Sequence, residues 1–149
     1  MSKKALFVLL AACLTVQAAD SSVMHCFAFT PIKEATQADW DAFYKGTDAL
    51  PNTMHGIVKK VWYGKLANPL AQFRLDADAV KKLRAGEADV PAAKTNIAMR
   101  EYGVCMEFAN EAAMKKYKET PPAQKTWTAL YDKVRVPGTT TYDILPAGK

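Results

Sequence analysis

Histidine is almost missing from this sequence: His25 and His55 are the two in 149 residues. Cysteine is nearly as scarce, with Cys13, Cys26 and Cys105 widely separated and no C-x-x-C pair. So few soft donors argue against a zinc cluster, and the missing pair argues against thioredoxin-type exchange. Gly-x-Ser-x-Gly, a Walker loop, a dinucleotide fingerprint and His-Glu-x-x-His are all absent, which removes the chemistries those motifs serve. Asp76 and Asp78 are spaced i, i+2 and so do not share a helix face. No metal site and no cofactor is expected. Long apolar runs are also lacking beyond the first twenty residues, whereas a membrane-spanning helix takes roughly 20 consecutive apolar positions.

What remains is ordinary globular material, 50% hydrophobic, 23% charged and 10% aromatic. One domain is the expectation at this length. The formal charge of +5 raises the question of an anionic partner. Lys3 and Lys4, however, begin a different segment. An apolar stretch over residues 5–16 follows them, and then Gln17-Ala18-Ala19-Asp20. A basic start, about a dozen apolar residues and small side chains at the exit describe a secretory signal, cleaved after Ala18. The expected units are a signal peptide over residues 1–18 and a domain over residues 19–149, in a periplasmic or secreted protein. Leu10-Ala11-Ala12-Cys13 also resembles a lipobox, which would anchor the chain to a membrane through a lipidated Cys13. Without Lys3 and Lys4 the balance is 20 − 2 = 18 basic against 15 acidic residues, or +3. The lysines alternate with acids, as a solvated helix face does, so no nucleic-acid partner is expected.

Along the mature chain, residues 22–30 alternate: Val23, His25, Phe27 and Phe29 share one face, Met24, Cys26 and Ala28 the other. With both faces largely apolar, this predicts a central strand, stopped by Pro31. Thr36, with Asp39 three residues on, opens a helix carrying Trp40, Phe43, Tyr44 and Thr47. A second strand is predicted from Ile57 to Gly64, with Lys59 and Lys60 marking it as an edge. Residues 65–98 read as an irregular insertion, with a turn at Asn68-Pro69, a short helix near 76–84 and loop beyond Pro91. A third strand is predicted over 102–108. A helix capped by Asn110 follows, then one bearing Trp127, Leu130, Tyr131 and Val134, and a final strand over 139–145. This order is the α+β, ferredoxin-like βαββαβ arrangement, an antiparallel sheet with helices on one face. Its other, apolar face calls for a second copy, so a homodimer is expected.

The chain resembles the stress-responsive dimeric α/β-barrel (Dabb) family. The resemblance runs through Val23-Met24-His25-Cys26-Phe27-Ala28-Phe29, Leu50-Pro51, Gly56-Ile57, Trp62-Tyr63-Gly64, Glu107-Phe108, Met114, Tyr117 and Pro122-Ala123. It implies a dimeric α+β barrel made of two such sheets packed face to face. Members similar to plant polyketide cyclases use a tyrosine and a helical segment ending His-Pro-x-His. Tyr117 stands at the tyrosine position, but the segment reads Thr120-Pro121-Pro122-Ala123-Gln124. Gln124 replaces the second histidine, and an amide cannot act as a general base.

The residues that remain chemically interesting are His25 and Tyr117 as acid–base candidates. Phe27, Phe29, Trp62, Tyr63, Tyr102, Gln124 and Trp127 are candidate pocket walls. Cys26 and Cys105 lie on strands expected to be antiparallel neighbours, and are either a disulfide or two buried thiols. Three functions fit these residues. The protein binds a small apolar or aromatic molecule; or it is a cofactor-free enzyme, cyclase-like or monooxygenase-like, using His25 and Tyr117; or it is an interaction dimer that presents residues 65–98.

Overall fold

The computed structural model describes residues 22–74, 77–86 and 96–146. The signal segment, Cys13 and the loop expected after Pro91 lie outside these described residues. The elements run β1 (Val23–Phe29), α1 (Gln37–Asp48), α2 (Leu50–Thr53), β2 (Val58–Arg74), α3 (Ala77–Arg84), β3 (Asn96–Phe108), α4 (Glu111–Lys118), α5 (Pro122–Tyr131) and β4 (Thr140–Ile144). The strands form one sheet in the order β2-β3-β1-β4, and every neighbouring pair is antiparallel. This is the α+β sheet expected from the order of elements, with β1 central and the lysine-bearing β2 at an edge.

Local chemistry explains the boundaries. Thr36 closes a capping box with Asp39, each side chain taking the other residue's backbone N–H. Asn110 accepts from the Ala113 N–H at 2.8 Å to start α4, whose last turn carries Lys115, Lys116 and Lys118 at the negative end of its dipole. Pro122 opens α5, where its missing N–H costs nothing.

One face of the sheet is buried beneath the helices. Val23, Phe27 and Phe29 from β1 and Val104, Met106 and Phe108 from β3 meet Phe43 and Thr47 of α1 and Trp127 and Tyr131 of α5. Aromatic rings dominate this core; Phe29 alone has ring neighbours in Trp40, Phe43, Tyr102 and Tyr131. Thr47 is fully buried, yet its hydroxyl donates to the Phe43 carbonyl at 2.7 Å and accepts the Trp127 indole N–H at 2.9 Å. The opposite face carries Met24, Cys26, Trp62, Cys105, Tyr142 and Ile144. Of these, Trp62, Tyr142 and Ile144 are 43%, 49% and 54% exposed, an apolar surface that the described helices leave open.

The structure corrects the reading of residues 65–98 as irregular. The second strand does not stop at Gly64 but continues to Arg74, and the third begins at Asn96 rather than Tyr102. Pairs from Leu70↔Arg100 to Arg74↔Asn96 extend the hairpin well past the compact sheet. Asn68-Pro69 lies in a bulge, where residues 66–69 of β2 stand against Glu101 between the flanking pairs Lys65↔Tyr102 and Leu70↔Arg100. A proline is tolerated there because no ladder N–H is required, which is why a turn signal sits inside a strand. The short helix expected near 76–84 is present as α3.

Candidate functional site

β1 delivers His25 to the helix-covered side of the sheet, in register with Met106 of β3 and Asp143 of β4. Because strand side chains alternate, His25, Phe27 and Asp143 all face the helices. Asp143 Oδ1 stands 2.6 Å from His25 Nδ1, and Lys118 Nζ donates to the other carboxylate oxygen at 3.0 Å. Burial pushes the Asp143 carboxyl up. The hydrogen bonds and charges of His25 and Lys118 outweigh that, and hold it below its ordinary range. The carboxylate is therefore charged at neutral pH.

Tyr117, from the last turn of α4, completes this end of the site. Its ring centroid lies 6.0 Å from that of His25 and 5.1 Å from that of Phe108. Burial pushes its hydroxyl up to about 12, against a smaller opposing pull from the Gln124 amide. At neutral pH Tyr117 is thus a hydrogen-bond donor and not a phenolate base. The turn joining α4 to α5 brings Tyr117 and Gln124 together, and it contains Thr120 with φ at 59°. A β-branched residue in the left-handed region is strained, and such strain tends to gather at functional sites.

His25, Phe27, Tyr117, Gln124 and Trp127 line one cavity of about 240 Å³, with Tyr131, Arg135 and three threonines completing its wall. The remaining expected wall residues go elsewhere. Phe29 is fully buried in the core, and Tyr102 packs against it and against Trp40. Tyr63 stacks on Tyr44 and donates to Asp48 at 2.7 Å. Trp62 faces the far side of the sheet. Strand parity separates Trp62 from His25; the other three face the helices but lie toward α1, away from α4. Asp143, Lys118, Tyr131 and Arg135 were not anticipated. For Asp143 a signal was present, an aspartate in the inward phase of an otherwise β-rich strand, but its partner lies 118 residues away.

On the opposite face Cys26 and Cys105 are direct cross-strand partners and are joined by a disulfide, with Cα atoms 4.1 Å apart. The bond forms the floor of a groove of about 260 Å³ walled by Trp62, Leu66, Leu70 and Tyr142.

No protein-family model matches the chain, and no curated protein sequence matches it significantly. Solved structures do. A Dabb-family protein with a ferredoxin-like fold from Mesorhizobium loti is 15% identical, with a TM-score of 0.52 over 86% of this chain and 99% of that one. A dimeric protein of unknown function and ferredoxin-like fold from Bacteroides fragilis is 15% identical, with a TM-score of 0.51 over 83% and 95%. This chain has a ferredoxin-like fold. The hydroxynitrile lyase from Passiflora edulis is also similar, at 13% identity and a TM-score of 0.55 over 88% of this chain and 98% of that one. At these identities the likeness speaks for architecture and leaves the chemistry to the residues of the cavity.

Proposed function

We propose that the His25–Tyr117 cavity is a catalytic site in which His25 takes a proton from a small molecule with an apolar or aromatic body. The observation that carries this reading is the 2.6 Å contact between His25 Nδ1 and Asp143. A carboxylate at that distance selects the tautomer protonated on Nδ1, and leaves Nε2 with the lone pair. Once Nε2 has accepted a proton, Asp143 stabilises the imidazolium, and Lys118 keeps the carboxylate in place. Tyr117 supplies a hydroxyl to the oxygen or nitrogen on which negative charge develops. Phe27 and Trp127 hold the apolar body, and their rings keep water from competing. The reaction class is proton abstraction next to a group that accepts the resulting electron pair. That a solved neighbour is a hydroxynitrile lyase shows that at least one protein of this fold is an enzyme.

The test uses a nitrobenzisoxazole, whose ring C–H proton is removed by a base as its N–O bond breaks, releasing a coloured cyanophenolate. The protein is expected to accelerate this ring opening, and His25→Gln to lose about a hundredfold of the acceleration. Equal rates for the two proteins would overturn the reading. Binding of the probe without turnover would leave the cavity as a ligand site only.

We infer further that two copies pair through the face bearing Trp62, Tyr142 and Ile144. Their exposure supports this, as do neighbours described as dimeric. Export with removal of residues 1–18 is supported by the signal-like sequence and by the Cys26–Cys105 disulfide, a bond at home in an oxidising compartment. Expression in a secreting host should give a mature chain whose mass begins at Ala19. A retained leader, or a diacylglycerol adduct on Cys13, would contradict that.

A further inference from the structure

We propose that Arg135 and the Tyr131 hydroxyl form an anion subsite of the same cavity, so that the molecule it takes is a small monocarboxylate with an apolar body. The role of the far end of that molecule rests on the catalytic reading above; the binding of its carboxylate does not.

Among the described residues, the wall of the cavity presents an imidazole and a guanidinium but no carboxylate. The acids that answer those groups, Asp143 behind His25 and Asp132 beside Arg135, do not line it. A negatively charged guest therefore meets no repelling group in the wall.

Arg135 is also held in advance. Its backbone bridges Pro31, and the Val136 N–H to Thr30 carbonyl and Ile32 N–H to Val134 carbonyl bonds, each 2.9 Å, strap it to the end of β1. Its Nε and Nη2 donate to Asp132 Oδ1 at 2.8 and 2.6 Å, and its guanidinium carbon lies 4.5 Å from the Tyr131 ring centre. A guanidinium ordered this way loses little freedom on binding, and its remaining N–H groups form a fork that suits a carboxylate.

The third observation is the Tyr131 hydroxyl, which is buried and has no hydrogen-bond partner among the described residues; Gln124 Oε1, in the same wall, has none there either. Buried polar groups without partners are uncommon and call for an explanation. A guest oxygen would supply the acceptor that Tyr131 lacks, on the residue whose ring Arg135 covers and in the cavity that both residues line. Asp132 neutralises the Arg135 charge. A guest is therefore held by the directed N–H donors of the guanidinium and by the Tyr131 hydroxyl, which suits a singly charged carboxylate better than a group of higher charge. A phosphate dianion would bring two charges to a site whose nearby cations, Arg135 and Lys118, are already paired with Asp132 and Asp143. The contacts from His25 to Phe27 (5.7 Å between ring centres) and from Phe27 to Tyr131 (5.3 Å) order the groups. The carboxylate sits by Tyr131, the apolar body on Phe27 and the reacting proton by His25.

Calorimetric titration of the whole protein with phenylpropionate and with phenylpropionamide, its neutral isostere, tests this. The acid is expected to bind about tenfold tighter than the amide. Arg135→Gln should abolish that preference, Arg135→Lys should restore part of it, and Tyr131→Phe should weaken acid binding severalfold, with thermal melts confirming that each variant is folded. His25→Gln should lose ring opening of the nitrobenzisoxazole yet keep the acid-over-amide preference, so the two readings fail separately. Equal binding of acid and amide, binding of neither, or a preference that survives Arg135→Gln would overturn the subsite.

Discussion

His25 and Asp143 sit opposite each other in the β1–β4 ladder, and their side chains meet at 2.6 Å on the helix-covered face of the sheet. A histidine paired in this way has a defined tautomer. Asp143→Asn keeps the shape but presents an amide to Nδ1 and removes the charge that supports the imidazolium. The expected outcome is a loss of about tenfold to a hundredfold in ring opening of the nitrobenzisoxazole, with probe binding little changed. Nitrogen-15 NMR of the imidazole should show the Nδ1-protonated form in the wild type and a mixed tautomer in the variant.

The tyrosines set an alkaline limit. Burial pushes Tyr117 up to about 12; Tyr63 is also at about 12, through burial and then its bond to the Asp48 carboxylate; Tyr131 is raised as well. In each case the fold favours the neutral phenol, whose folded pKa exceeds its unfolded value of about 10. The stability this contributes is whole below pH 10 and is lost as pH rises through the folded values. Melting temperature should therefore fall steeply between about pH 10 and pH 12, and Tyr117→Phe should flatten the decline. Ultraviolet absorbance should show phenolate forming later than in the denatured chain.

The Cys26–Cys105 bond closes a loop with a sequence separation of 79. Holding the ends of so long a loop together restricts the unfolded chain, and removing the link costs on the order of 4 kcal/mol. Cys26→Ala with Cys105→Ala, or the reduced wild type, should show that loss in urea denaturation. A midpoint unchanged by reductant would contradict it.

Trp62 and Ile144 should make the open face self-associating. Sedimentation of residues 19–149 is expected to give a dimer at micromolar concentration, and Trp62→Asp with Ile144→Asp a folded monomer. A monomeric wild type would contradict pairing through this face.

Thr120 is held at φ 59°, where a β-branched side chain crowds its own backbone. Asparagine tolerates that region better, so Thr120→Asn should stabilise the protein by up to about 1 kcal/mol. Chemical denaturation of the single variant measures it.

Much of the fold is written in local patterns. The alternation about Phe27, the Thr36–Asp39 capping box, the Asn110 cap and the 127-130-131-134 spacing each mark an element without reference to the rest of the chain. The hairpin arm was missed because Asn68-Pro69 has the same appearance in a bulge as in a turn, and only pairing with β3 distinguishes them. The site divides in the same way. His25, Phe27, Tyr117, Gln124 and Trp127 stand out by type and position and meet in one cavity. Phe29, Trp62, Tyr63 and Tyr102 stand out equally and do not join them, since aromatic character says nothing about which part of the sheet a ring faces.

Scarce histidine, two domain cysteines and an order of elements are properties of the chain alone, and they determined the ferredoxin-like sheet and narrowed the chemistry to very few side chains. Which carboxylate stands behind His25, that Cys26 meets Cys105, and that Arg135 reaches the same cavity were decided by tertiary structure. Periodicity is a local property, sensed over a few residues. Register between strands a hundred residues apart is set by the burial of the whole face at once, and that register placed Asp143 beside His25.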